Sequence, residues 1–425
     1  MDIKLKKIND FTQEMTCKVS WEELEDSFKN EFDKVKSNHT PQGGRKGKVF
    51  GRDLELFKKN YSAAIEANFA EKSLNIFYQQ AIQEQKLNPI NQANVSNLDF
   101  SEGNELVFTL NFEVIPEIKL PNYEKKIKIK MIKYNQTDED VTHALEELRQ
   151  QHSNLKSIDD GAKSNNFIMG DFQELDESDL PIIGKKLDKQ YIKLGIGAFT
   201  GTTEQELLGV KPDDKRKVTI NYGEGKQSRY EIHIHKVEEQ LLPDLNDEFA
   251  KTASPGLKTL DELKNQLKDN IQKSIDDDYE KRKREELINY FIAKTKFEAP
   301  VSMVNRYLEK FIEEQMKKNK NLDKDKLKEE SKDIADFNVK WFIIKDALVQ
   351  KSEVSVDNKD IDEEIKKIID QSNEDKKKIV EFFDNHQNRE SLSSNLLNEK
   401  LFNYISGFAV IKDTEKSTAD LRKQK

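Results

Sequence analysis

Gly43-Gly44-Arg45-Lys46-Gly47-Lys48-Val49-Phe50-Gly51-Arg52 holds four glycines and four cations within ten residues. Glycine strips bulk from the backbone while the cations concentrate positive charge, so the stretch predicts an exposed, mobile, basic loop tip. Two readings fit it: a solvated turn whose charges only keep it in water, or a point contact with phosphate or acidic groups on a partner. Upstream, Leu24, Phe28, Phe32 and Val35 recur at helical spacing, and Ser20-Trp21-Glu22-Glu23 reads as a capping box that starts their helix. That helix stops at His39-Thr40-Pro41-Gln42, because proline followed by two glycines cannot continue it. Downstream, a long helical pattern runs over residues 53–81. Alternating runs at 3–8, 12–19, 94–100 and 105–114 predict strands, so the region reads as a small α+β unit with the basic loop between its two helices.

The rest of the composition bounds the molecule. At 425 residues the chain exceeds one ordinary core, which predicts several domains. Charged residues make up 36% and apolar residues 35%, which suits long solvated helices with thin apolar stripes and an elongated shape. A net charge of −9 argues against a surface that coats nucleic acid, so any such contact is local. Cys17 is the single cysteine, which excludes a disulfide framework and a cysteine-ligated metal and fits a reducing compartment. The opening MDIKLKKINDFTQEM has no apolar run or small-residue cleavage site, and no stretch is long and apolar enough for a bilayer; the expectation is a cytoplasmic protein without membrane contact.

Gly43-Gly44-Arg45-Lys46-Gly47-Lys48 resembles the ribosome-binding signature of bacterial trigger factors, glycine-phenylalanine-arginine-x-glycine-lysine followed by an apolar residue and proline. Gly44 stands where that family has phenylalanine, and Phe50 where it has proline. The resemblance implies an α/β ribosome-binding domain over 1–115 with Gly43, Gly44, Arg45, Lys46, Gly47 and Lys48 as docking residues. It also implies a linker and first helical part over 116–155, where Thr137-Asp138-Glu139-Asp140 opens a helix to about 155.

Between residues 167 and 239 the chain turns to short β-type runs and glycine turns. This stretch resembles an FK506-binding type of prolyl isomerase, which implies a small FKBP-like domain over 156–240 inserted into the helical body. Such a domain uses an apolar aromatic cup to desolvate the X-Pro bond and favour the twisted amide, without acid, base or metal. Asp171-Phe172, Tyr222-Gly223 and Tyr230 match family positions and Tyr191 lies near a pocket-wall position, while Thr200-Gly201-Thr202-Thr203 replaces an aromatic floor and the flap is cut to residues 224–229. Phe172, Tyr191, Thr200, Thr203, Tyr222 and Tyr230 are the implied catalytic positions, and the lost aromatic surface predicts weak or absent turnover. His233 and His235 alternate on one strand; no third ligand adjoins them, so they read as ordinary strand histidines and no metal is expected.

Val237-Glu238-Glu239-Gln240-Leu241-Leu242-Pro243-Asp244-Leu245 resembles the trigger factor junction that returns to the helical body. Thr259 and Glu262 form a second capping box, starting a helix to about 296, with further helices expected at 300–316, 324–350, 358–371, 375–385 and 389–411. Residues 241–411 are the implied substrate-binding body, and residues 412–425 read as a charged, disordered tail. Met303, Tyr307, Phe311, Trp341, Phe382 and Phe402 are its candidate contacts, since Met and Phe surfaces adapt to many partners. The family implies an ATP-independent chaperone, consistent with the lack of a Gly-x-x-x-x-Gly-Lys-Ser/Thr loop, and no cofactor. Its implied partners are the large ribosomal subunit near the exit tunnel and nascent or unfolded polypeptides, with a homodimer allowed when free. A free prolyl isomerase with helical arms and a periplasmic chaperone of similar plan are the alternatives.

Overall fold

The structure is a computed structural model that describes residues 1–222, 227–319, 322–372 and 375–422. The chain opens with β1 (Asp2–Lys7), β2 (Thr12–Val19), α1 (Trp21–Asn38) and α2 (Arg52–Glu84). Next come β3 (Asn94–Asp99), β4 (Leu106–Glu113), β5 (Ile127–Asn135) and α3 (Asp138–Gln151). A strand-rich stretch holds β6 (Asn154–Ser157), β7 (Phe167–Leu175), β8 (Pro181–Lys193), α4 (Thr202–Leu207), β9 (Lys215–Asn221) and β10 (Gln227–Leu241). Helices follow: α5 (Asp247–Ala253), α6 (Leu260–Lys294), α7 (Val301–Lys318), α8 (Lys324–Glu330) and α9 (Lys332–Ser352). The last elements are α10 (Asn358–Gln371), α11 (Lys376–Asp384), α12 (His386–Ser406), β11 (Ala409–Ser417) and α13 (Ala419–Arg422). This mixed, multidomain α+β chain divides into two compact units, residues 1–130 with 282–412 and residues 131–281 with 413–425.

In the first unit the sheet order is β1-β2-β4-β3. Alternation does the work expected of it: Met15, Cys17 and Val19 on β2 and Leu106, Phe108, Leu110 and Phe112 on β4 all face one core. Helices α1 and α2 lay Leu24, Phe28, Phe57, Ile65, Phe69 and Leu74 on that face. The capping box expected at Ser20 does not close on the backbone. Ser20 Oγ donates to Glu23 Oε1 at 3.2 Å, and the same carboxylate oxygen takes the Met1 ammonium at 2.9 Å, a stronger charged partner. The helices of this unit are tied to the strands by Glu113, whose Oε2 accepts from the Ser302 backbone at 2.9 Å and its hydroxyl at 2.6 Å. The helix expected at 324–350 breaks at Ser331 because α8 buries nothing, so no apolar stripe holds it in line with α9.

In the second unit the sheet order is β6-β10-β7-β8, with β9 paired to β10. Its inner face packs Ile168, Phe172, Ile232 and Ile234 against Leu194, Leu207, Val218 and Ile220. A separate cluster joins Leu145 of α3 to Phe249 and Ala250 of α5 and Leu263 of α6. The box at Thr259 does form: Glu262 N donates to Thr259 Oγ1 and Thr259 N to Glu262 Oε2, both at 3.2 Å.

The disordered tail expected over 412–425 is corrected as far as residue 422 by β11, which pairs with β5, and by α13, which follows it; residues 423–425 lie outside the described residues. Two of its charges have fixed partners: Arg422 pairs with Asp140 and with Glu139, the latter at 2.9 Å, and Tyr279 donates to Asp413 at 2.8 Å. The helix expected to reach 411 stops at Ser406, where the β-branched pair Val410-Ile411 joins the strand instead. Among the described residues no helix is long and apolar enough to cross a membrane.

Candidate functional site

The basic loop is a folded double turn. Pro41 and Val49 are buried at its two ends, and between them Gly44 N donates to Pro41 O and Lys48 N to Arg45 O, each at 3.0 Å. Gly47 N donates to His39 O at 2.8 Å. Gly47 has φ +74°, and a Cβ there would lie 2.9 Å from Ser37 O, so neither the backbone nor the space admits a side chain. Arg45, Lys46 and Lys48 all face solvent and form no ion pair among the described residues. Phe50 follows them 66% exposed. Beneath lies a cleft of about 700 Å³ lined by His39, Pro41, Arg52, Leu56, Phe57 and Tyr61, with the His39 ring 5.1 Å from both Phe57 and Tyr61.

The strand-rich unit gathers an aromatic cup. Phe172 meets Phe199 at 6.1 Å and Tyr230 at 6.2 Å, both edge to face, and the Tyr222 and Tyr230 hydroxyls are 3.1 Å apart. Thr203 is 1% exposed and donates its hydroxyl to Thr219 O at 2.7 Å. Thr200 is exposed and donates to Gly197 O at 3.1 Å.

In the first unit, α7 and α9 enclose a groove of about 440 Å³ whose apolar wall is Met303, Tyr307, Val339, Trp341 and Phe342. Arg306, Lys310 and Lys345 also line it. The family model of the bacterial trigger factor protein matches residues 1–148, and that of the trigger factor C-terminus matches residues 259–407. The chain belongs to the bacterial trigger factor family. The trigger factor of Geotalea daltonii is 24% identical over 99% of this chain and 100% of its own length. That of Bacillus mycoides is 27% identical over 87% of this chain and 91% of its own. A solved structure from work on promiscuous substrate recognition by the trigger factor chaperone is 18% identical, covers 95% of this chain and 99% of its own, and superposes with a TM-score of 0.53; it shows the shared fold.

In this chain the six loop residues fall on one turn, but the other two residue sets are only partly assembled. Tyr191 does not join the cup. It pairs with Met169, neighbours the buried Ile192 and packs on Phe167 at 5.7 Å, which puts it on the sheet face opposite Phe172. Phe199 takes part instead, edge to face with Phe172; the signal was an aromatic just ahead of Thr200. Gly223 and flap residues 224–226 lie outside the described residues, whereas 227–229 form the start of β10. In the groove, Met303, Tyr307 and Trp341 line one cavity, Phe311 extends it by stacking on Tyr307 at 6.4 Å, and Phe402 stacks on Trp341 at 5.8 Å. Phe382 stands apart on α11, 57% exposed and paired with Phe383. The lining cations Arg306, Lys310 and Lys345 were legible only as helical neighbours of those apolar positions.

Proposed function

We infer that this protein docks on the large ribosomal subunit near the tunnel exit through the turn carrying Arg45, Lys46 and Lys48. Assisting folding in association with ribosomes is the function of its family, and nascent chains are the substrates. The observation that carries the docking assignment is that three unpaired cations are held outward by a turn whose ends are buried. Such a turn meets RNA phosphate or acidic protein with little further ordering cost. The α7–α9 groove supplies an adaptable Met and aromatic wall for emerging apolar segments. The aromatic cup provides weak prolyl isomerisation at most, because Thr203 offers a methyl and an occupied hydroxyl where a large ring would close the floor. A cytoplasmic location completes the reading.

Replacing Arg45, Lys46 and Lys48 by alanine tests the docking. Each contact contributes roughly 1 kcal/mol in a partly screened setting, so the triple variant is expected to bind ribosomes about two orders of magnitude more weakly at moderate salt. Its affinity should also fall less steeply as salt rises, because fewer counterions are released. Thermal unfolding should be unchanged, since exposed loop charges carry little stability. Equal ribosome affinity in variant and parent would remove the turn from the docking surface.

A further inference from the structure

The sheet face opposite the aromatic cup carries a second constellation. His233 and His235 stand on β10, and Asp171 on β7 lies directly across from His233. His235 Nε2 meets Asp171 Oδ1 at 2.9 Å, the two imidazole centres are 4.8 Å apart, and one ligand atom from each of the three lies within 4.8 Å of the others. All three side chains are half-buried. The pairing of β10 with β7 shifts between Ile234 and Lys236, leaving His235 without a partner across the strands and free to turn toward Asp171. Gly170 allows the close approach: a Cβ there would lie 2.6 Å from His233 O.

We propose that Asp171, His233 and His235 form a divalent transition-metal site, with Zn2+ as its occupant. Two imidazoles and one carboxylate suit zinc, which binds nitrogen and oxygen at about 2.0–2.2 Å and leaves its fourth tetrahedral position to water. Small side-chain rotations bring the three donors to that geometry. Ligation uses the Nε2 lone pair of His235, so the proton it now gives to Asp171 moves to Nδ1 or to solvent, and the freed lone pair on Oδ1 goes to the metal. The supporting shell is already in place. The Lys189 backbone N–H donates to Asp171 Oδ1 at 2.9 Å, and Lys186 Nζ meets Oδ2 at 3.0 Å, which together fix the carboxylate. Lys186, and Lys215 across from His233 on β9, oppose a dication, so the site binds reversibly rather than irreversibly. A metal held by both strands staples β7 to β10 behind Phe172 and Tyr230, and this role is independent of ribosome docking.

The test titrates the full chain with Zn2+ by calorimetry and with Co2+ by visible absorption. The parent is expected to bind one Zn2+ more per chain than the His233→Ala/His235→Ala double variant, whose remaining histidines report background. His233→Ala alone should weaken that site at least tenfold. Zn2+ should raise the unfolding temperature of the parent and not of the double variant. Should the double variant fail to fold, X-ray absorption of the Co2+-loaded parent decides, with two imidazoles and one carboxylate expected around the metal. No uptake by the parent, equal uptake by parent and a folded double variant, or a different ligand set would overturn the proposal.

Discussion

Cys17 shows how far one position can be read before and after the fold is known. From the sequence it excluded a disulfide framework; in the structure it is fully buried on β2 opposite Phe108. Burial pushes its thiol up to about 11, so at pH 8 it stays protonated and shielded, and thiolate appears only as pH rises toward that value or the domain opens. Labelling with a thiol reagent at pH 8 is therefore expected to run roughly a hundredfold or more slower in the native protein than in denaturant. Similar rates in both states would mean the β2–β4 core opens readily. Gly47 makes the complementary point. Its place in the basic motif was visible, but the reason no other residue fits, the carbonyl of Ser37 beside it, exists only once α1 and the turn are folded.

Elements with strong periodicity were legible, and those set by distant partners were not. The span 358–371 reads directly as α10, with Asp357 as its N-cap, because Ile361 and Ile365 stand one turn apart above capping acids. The end of the chain misled because Lys412, Asp413, Glu415 and Lys416 are solvated even in the structure, and only the backbone pairing with β5 makes the segment a strand. The aromatic cup was half legible: Phe172, Tyr222 and Tyr230 converge, Tyr191 falls on the wrong face, and Phe199 closes the gap. Phe199→Ala should thus cut any turnover of a short X-Pro peptide about five- to tenfold, as expected if roughly 1 kcal/mol of apolar contact with the twisted amide is lost. Tyr191→Ala should leave that turnover unchanged. A drop caused by Tyr191→Ala and none by Phe199→Ala would put the cup on the other face of the sheet.

At the scale of the whole molecule the decisive feature is a segment inserted within the second unit. Strands β6 and β10 pair antiparallel with Ser157 opposite Glu238 and Asn154 opposite Leu241, so the segment between them begins and ends side by side. That segment carries its own core: Ile168, Phe172, Leu194, Val218, Ile232 and Ile234 all lie within it. The cluster of Leu145, Phe249, Ala250 and Leu263 lies outside it, as does the contact of Arg149 Nε with Pro243 O at 2.7 Å. Facing residues on antiparallel strands sit about 5 Å apart, so a two-residue Asn-Gly turn can replace residues 158–237 without moving either strand. The excised protein is expected to fold cooperatively and to lose X-Pro turnover. It should bind ribosomes within about twofold of the parent, because the turn holding Arg45, Lys46 and Lys48 belongs to the other unit and removing surface charge far from a contact changes affinity little. It should still suppress aggregation of an unfolded client through the α7–α9 groove. Ribosome sedimentation and light scattering of a denatured client measure the two properties separately. A well-folded excision variant that no longer binds ribosomes would show that residues 158–237 take part in docking, and one that binds ribosomes but no longer holds clients would move the substrate surface from the groove to the strand-rich unit.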